Sequence, residues 1–160
     1  MPEQLEQSAS GEISRILDEA IAEVLATMFF ADLEPAPCTH SPLEHSWMSS
    51  AVSARVRFEG THFGEAVLTI SRPAAEEIAS AFLGLDKEET SETDCAQVVL
   101  ELANILCGSV LSRLWPESKL TLSAPVSDAM ERGLEGPGHR CFQMPEGNLA
   151  WRLSVEGANR

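Results

Sequence analysis

"QVVLELANILCGSVLSRL", residues 97–114, is apolar enough for a helix buried on most sides, yet it carries a carboxylate at Glu101 and an amide at Asn104. At ~100° per residue, Asp94, Gln97, Glu101, Asn104, Gly108 and Ser112 fall on one stripe roughly 80° wide. The rest of the circumference is Val98, Val99, Leu100, Leu102, Ala103, Ile105, Leu106, Val110 and Leu111. An ordinary surface helix has a broad polar face. This spacing instead predicts a helix enclosed by protein, with one narrow strip reaching water. A plain need for some polar edge accounts for the strip but not for its residues. Asn and Gly both weaken a helix interior relative to Ala, and solubility alone selects Lys, Glu or Gln.

The flanks define the helix. Ser91 followed by Asp94 is a capping-box pattern at its start, and Trp115-Pro116 marks its end. Before it, Pro73 is placed to open a shorter helix that Gly84 stops. Further upstream, Val52, Ala54, Val56 and Phe58 alternate with Ser53, Arg55, Arg57 and Glu59, the period of a half-buried strand. "EGTHFG" turns it into a second strand, "EAVLTI". Nearer the N-terminus, Ile13, Ile16, Leu17, Ala20, Ile21, Val24, Leu25, Met28 and Phe29 recur at helical spacing. Residues 1–10 read as a flexible tail, and "EPAPCTHSPLEH" ends the helix with three prolines. Past the long helix, strands are expected at "KLTLSA", around "RCFQM" and at "LAWRLSV".

Helix-then-strands therefore occurs twice. The expectation is one α+β domain over residues 11–160. It has two long helices and a short helix packed on a largely antiparallel sheet, with the halves related by a degenerate duplication.

Bulk properties narrow the function. Eleven Lys and Arg stand against 25 Asp and Glu, a formal net charge of −14. Phosphate backbones and anionic lipid surfaces are bound by clusters of Lys and Arg, so neither nucleic acid nor membrane is an expected partner. The polar start "MPEQLEQSASGE" is unlike a signal peptide, and no apolar run is read as membrane-spanning. Cys38, Cys95, Cys107 and Cys141 form no CxxC pair and suit reduced thiols. A cytoplasmic location is expected. Cys38, His40 and His45 lack a fourth ligand at a recognised spacing, so no metal site is expected. His62 and His139 read as solvated turn residues.

"ELANILCGSVLSRL", with Pro125 downstream in a strand, resembles the E-x-x-N motif and following proline of the CheX/CheC/FliY family of chemotaxis phosphatases. The first helix, "ISRILDEAIAEVLATMFF", and the element order resemble the CheX branch. Such members keep a single motif copy on the later helix. That fits Glu23-Val24-Leu25-Ala26 in the first helix, where Ala stands in the amide position. One departure is Gln97, where the family often has Asp or Ser.

The resemblance implies a phosphatase acting on the aspartyl phosphate of a CheY-like response-regulator receiver domain. Glu101 and Asn104 are the candidate catalytic pair: Asn104 would orient the attacking water, and Glu101 would anchor a lysine of the partner. Gln97 and Gly108 are candidate partner contacts. The chain would need no cofactor of its own, the receiver supplying Mg²⁺. A homodimer joined along an edge strand is also implied, with "NLAWRLSV", residues 148–155, as the candidate edge. The alternative is a non-catalytic module of the same fold that binds receivers or scaffolds a signalling complex.

Overall fold

Alternating apolar and polar side chains sort the two faces of a sheet, and here they decide where the helices lie. The computed structural model describes residues 2–38, 47, 50–127 and 138–156. Its helices are α1 (Pro2–Met28), α2 (Arg72–Leu83) and α3 (Glu92–Leu114). Its strands are β1 (Glu34–Ala36), β2 (Val52–Gly60), β3 (Phe63–Ile70), β4 (Leu120–Leu122), β5 (Val126–Ser127), β6 (His139–Met144) and β7 (Gly147–Glu156). They form one seven-stranded sheet in the order β1-β6-β7-β3-β2-β4, with β5 also paired to β2. Every described pairing is antiparallel.

One face of this sheet carries the helices. Ala54, Val56 and Phe58 of β2, Ala66, Leu68 and Ile70 of β3, Leu149 and Trp151 of β7 and Phe142 of β6 all enter one core. The helices complete it with Leu17, Ile21, Leu25 and Phe29 of α1, Ile78 of α2 and Val98, Leu102 and Leu106 of α3. α3 lies over β2 and β3 and packs against both other helices. The expected α+β arrangement of two long helices and a short one on an antiparallel sheet is what the chain adopts.

Four expectations change. The helix expected from near Gly11 begins at Pro2, so the backbone of residues 2–10 is helical. Glu, Gln and Leu propagate a helix well, and Gly11 costs only about 1 kcal/mol in a helix interior. β7 is not an edge strand: it pairs with β3 along one side and with β6 along the other. Residues 148–152 therefore have no free ladder for a second copy to join, while 153–155 are paired along β3. α3 is long and apolar enough to cross a membrane by composition alone, contrary to the sequence reading, but here it is a core helix clamped by α1, α2 and the sheet. Finally, Cys38 and Cys141 are joined as a disulfide, while Cys95 and Cys107 are free and buried.

Candidate functional site

α3 is fixed at both ends before any function is considered. Ser91 Oγ accepts the Asp94 backbone N–H at 3.0 Å, and the Asp94 carboxylate accepts the Ser91 N–H at 2.9 Å. This reciprocal box satisfies two amide groups that a helix start otherwise leaves open. The Ser91 backbone N–H, and then its side chain, hold the Asp94 carboxyl below its ordinary range. At the other end the Trp115 N–H closes on the Leu111 carbonyl. Trp115 also stacks on His62 at 3.9 Å between ring centroids, so His62 is half-buried rather than a solvated turn residue.

Between these ends the burial of α3 follows the wheel. Cys95, Val98, Val99, Leu102, Ala103, Leu106, Cys107, Val110 and Leu111 are buried. Gln97, Glu101 and Ser112 are exposed, and Asn104 and Gly108 are half-buried. Together with half-buried Asp94 these strip residues thus share one open face, with Glu101 and Asn104 a helical turn apart and their side chains adjacent. Leu100 and Ile105, expected inside, are half-buried. On the wheel they flank the strip, so the polar residues sit between two apolar shoulders. Periodicity could not separate a shoulder from the core.

Neither Glu101 nor Asn104 has a side-chain hydrogen bond or ion pair among the described residues. Other polar groups nearby are engaged. Arg113, also on α3, pairs with Glu23 of α1, and Ser112 Oγ donates to the Gly108 carbonyl at 2.7 Å. Glu23 is the carboxylate of the first-helix sequence that lacks an amide partner at Ala26. Its charge is neutralised inside the chain, whereas that of Glu101 is not. Among the described residues the two helices therefore differ in what they offer another molecule: α3 presents a carboxylate and an amide with no side-chain partner there.

Gly108 adds a steric fact. A Cβ built there would meet only Leu122 Cδ1, at 3.9 Å, an ordinary contact. By contrast a Cβ on Gly64 or Gly138 would collide with backbone carbonyls at 2.1 and 2.2 Å. Those two glycines are required by strand packing. Nothing within the described chain requires one at 108. Pro125, expected within a strand, falls in the gap between β4 and β5. Lacking an N–H, it interrupts the ladder on β2, while Ser123 spans the break by bonding both polar backbone groups of Arg57.

The family model of the chemotaxis phosphatase CheX matches residues 52–133, which is 82 of the 160 residues and includes the whole of α3. The chain belongs to the CheX family. Solved structures share its fold. CheX of Vibrio vulnificus matches with a TM-score of 0.69 at 20% identity, over 91% of this chain and 97% of its own. CheX of Desulfovibrio desulfuricans gives 0.66 at 18%, over 91% and 99%. The CheX of a CheX–CheY–BeF3–Mg²⁺ complex from Borrelia burgdorferi gives 0.63 at 15%, over 89% and 97%. No curated protein matches the chain. In this CheX-family chain the strip of α3 is a polar, partly open face on an otherwise buried helix.

Proposed function

We propose that the chain hydrolyses the aspartyl phosphate of a CheY-like receiver domain, with the strip of α3 as its working surface. The observation that carries this reading is an amide and a carboxylate, adjacent and without partners among the described residues, on a helix that is otherwise largely core. Membership of a family of chemotaxis phosphatases supports it, as does the shared fold with the CheX of a CheX–CheY complex.

An acyl phosphate is an activated leaving group, so the catalyst's main task is to hold one water in line with phosphorus. A carboxamide suits that task. The Asn104 carbonyl oxygen accepts a hydrogen bond from the water, and its NH₂ donates elsewhere, with no charge added beside the phosphoryl oxygens. Glu101 is negative and repels a phosphoryl group unless a cation intervenes. An ammonium on the receiver meets that need, making Glu101 the anchor that sets the register of the two proteins. Asp94, at the start of the strip, is committed to the capping box, which leaves Glu101 as its open carboxylate, and the reaction's Mg²⁺ would come with the receiver. Gln97 and Gly108 border the contact, and the bare backbone at Gly108 lets the partner approach closely.

The test is the decay of a phosphorylated CheY-like receiver, followed by phosphate release, with wild type and Asn104→Ala side by side. Wild type should accelerate decay and the variant should not. Equal acceleration by both would refute the assignment of Asn104. Receiver binding without acceleration by either would favour a non-catalytic receiver-binding module.

A further inference from the structure

On the face of the sheet opposite the helices, a second group of reactive side chains comes together. His139 and Cys141 stand two residues apart on β6 and so point to the same side. Their neighbours Phe142 and Met144 enter the core on the other side. Cys38 lies just beyond β1, whose Ala36 is the register partner of Cys141. The Cα atoms of Cys38 and Cys141 are 5.4 Å apart, and Cys141 Sγ is 3.9 Å from His139 Nε2. All three ligand atoms lie within 4.8 Å of one another. His139, expected as a solvated turn residue, is in fact buried at 6% exposure. His40 and His45, the histidines of the proline-rich connector, lie outside the described residues.

We infer that Cys38, Cys141 and His139 form a binding site for a thiophilic divalent cation, zinc in particular, which opens when the Cys38–Cys141 disulfide is reduced. Around tetrahedral zinc, with Zn–S near 2.3 Å, two thiolate sulfurs stand roughly 3.8 Å apart. Ligand atoms already within 4.8 Å of one another would need to separate only modestly to surround one ion. Two thiolates and one neutral imidazole neutralise the ion and leave a fourth position for water or another donor.

The chemistry balances with a dithiol as reductant. The dithiol supplies two electrons and two protons, the S–S bond becomes two thiols, and the reductant leaves as its own disulfide. Zinc binding then displaces the two thiol protons, each sulfur giving an electron pair to the metal. In both states the same two residues, 103 apart in sequence, stay tied, so β1 is held to β6 whether the link is covalent or metallic.

The other two cysteines provide an internal control. Cys95 and Cys107 sit in the helix-side core, and burial pushes the Cys107 thiol up to about 12. They are poor ligands on the wrong side of the sheet.

The experiment reduces the protein with a dithiol, removes the reductant under nitrogen and titrates with Co²⁺, then with Zn²⁺ as competitor. The expected result is a thiolate-to-cobalt charge-transfer band saturating at one equivalent and bleached by zinc. The disulfide form, Cys141→Ser and Cys38→Ser should each lose the band. His139→Gln should weaken binding by at least about tenfold, and Cys107→Ala should change nothing. Cys38 lies outside the regular strands, so its variant decides the matter if Cys141→Ser does not fold. A reduced wild type without the band, or a band that survives loss of Cys38, would overturn the site.

Discussion

The nearest atom to a methyl group placed on Gly108 is Cδ1 of Leu122, 3.9 Å away and on a different element. The helix thus has room for alanine at a position where glycine costs stability. Gly108→Ala should raise the unfolding free energy by about 0.5–1 kcal/mol, because glycine in a helix interior loses more backbone entropy than alanine. The same methyl group stands on the strip, where it should slow receiver dephosphorylation. Chemical denaturation and phosphate release on one preparation check both halves. A variant that is more stable and fully active would remove Gly108 from the contact surface.

Asn104 separates positioning from charge. Asn104→Ala should lower the accelerated rate of receiver dephosphorylation by about 100-fold, the scale associated with a misplaced reacting group. Stability should change little, since the amide has no described partner to lose and Ala favours a helix. Asn104→Asp keeps the shape of the side chain but brings a negative charge to the phosphoryl oxygens, and it should be as inactive as alanine. Single-turnover measurements on the phosphorylated receiver check both variants, with circular dichroism confirming the fold.

Glu101 should act on association. With Glu101→Gln, KM for the phosphorylated receiver should rise by about tenfold, equivalent to ~1.4 kcal/mol, from the loss of one interfacial ion pair. kcat should fall less than KM rises. The wild-type affinity should weaken as salt is added more steeply than that of the variant, because an exposed charge pair is screened. Titrations at two ionic strengths check it. Identical salt dependence in the two proteins would mean that Glu101 faces no cation.

Much of this arrangement is legible from residue order, for reasons that also mark the limit. The strip on α3 can be read because one helical period arranges its residues and because Asn104 and Gly108 are costly choices there. Strand β2 can be read because Ala54, Val56 and Phe58 alternate with charged or hydroxyl residues. Alternation reports which face a side chain takes but not which strand lies beside it. Leu149 and Trp151 therefore mark β7 as half-buried without showing that it is flanked on both sides. Local pattern is equally silent on the pairing of Cys38 with Cys141, which depends on β1 adding to β6 across 103 residues.

The capping box makes a prediction about stability and pH. Ser91→Ala removes the acceptor of the Asp94 N–H and should destabilise the protein by about 1 kcal/mol near neutral pH. Asp94 is depressed in the folded state by the Ser91 backbone N–H and then its side chain. The folded form therefore prefers the ionised carboxylate. Its contribution is present above the ordinary carboxylate value and is lost as pH falls through the lower, folded value. The stability advantage of wild type over Asp94→Asn should accordingly shrink on acidification. Urea unfolding of both proteins near neutral pH and again below the carboxylate range checks the direction.

Arg140 and Asp18 provide the last test, away from the strip. Arg140 Nε and Nη2 donate to the two carboxylate oxygens of Asp18 at 2.7 and 2.8 Å, joining β6 to α1. The side chains are 27% and 22% exposed, so water only partly screens the pair. The Asp18 hydrogen bond raises the arginine above its ordinary value. A two-pronged, charge-assisted contact of this kind is stronger than a surface ion pair. Asp18→Ala should cost about 2 kcal/mol of stability, partly by leaving Arg140 without its partner. Arg140→Lys should recover only part of the wild-type value, because an ammonium cannot match both oxygens in plane. Thermal melts of the two variants check the order, and dephosphorylation by the folded fraction should be unchanged, since neither residue borders the strip.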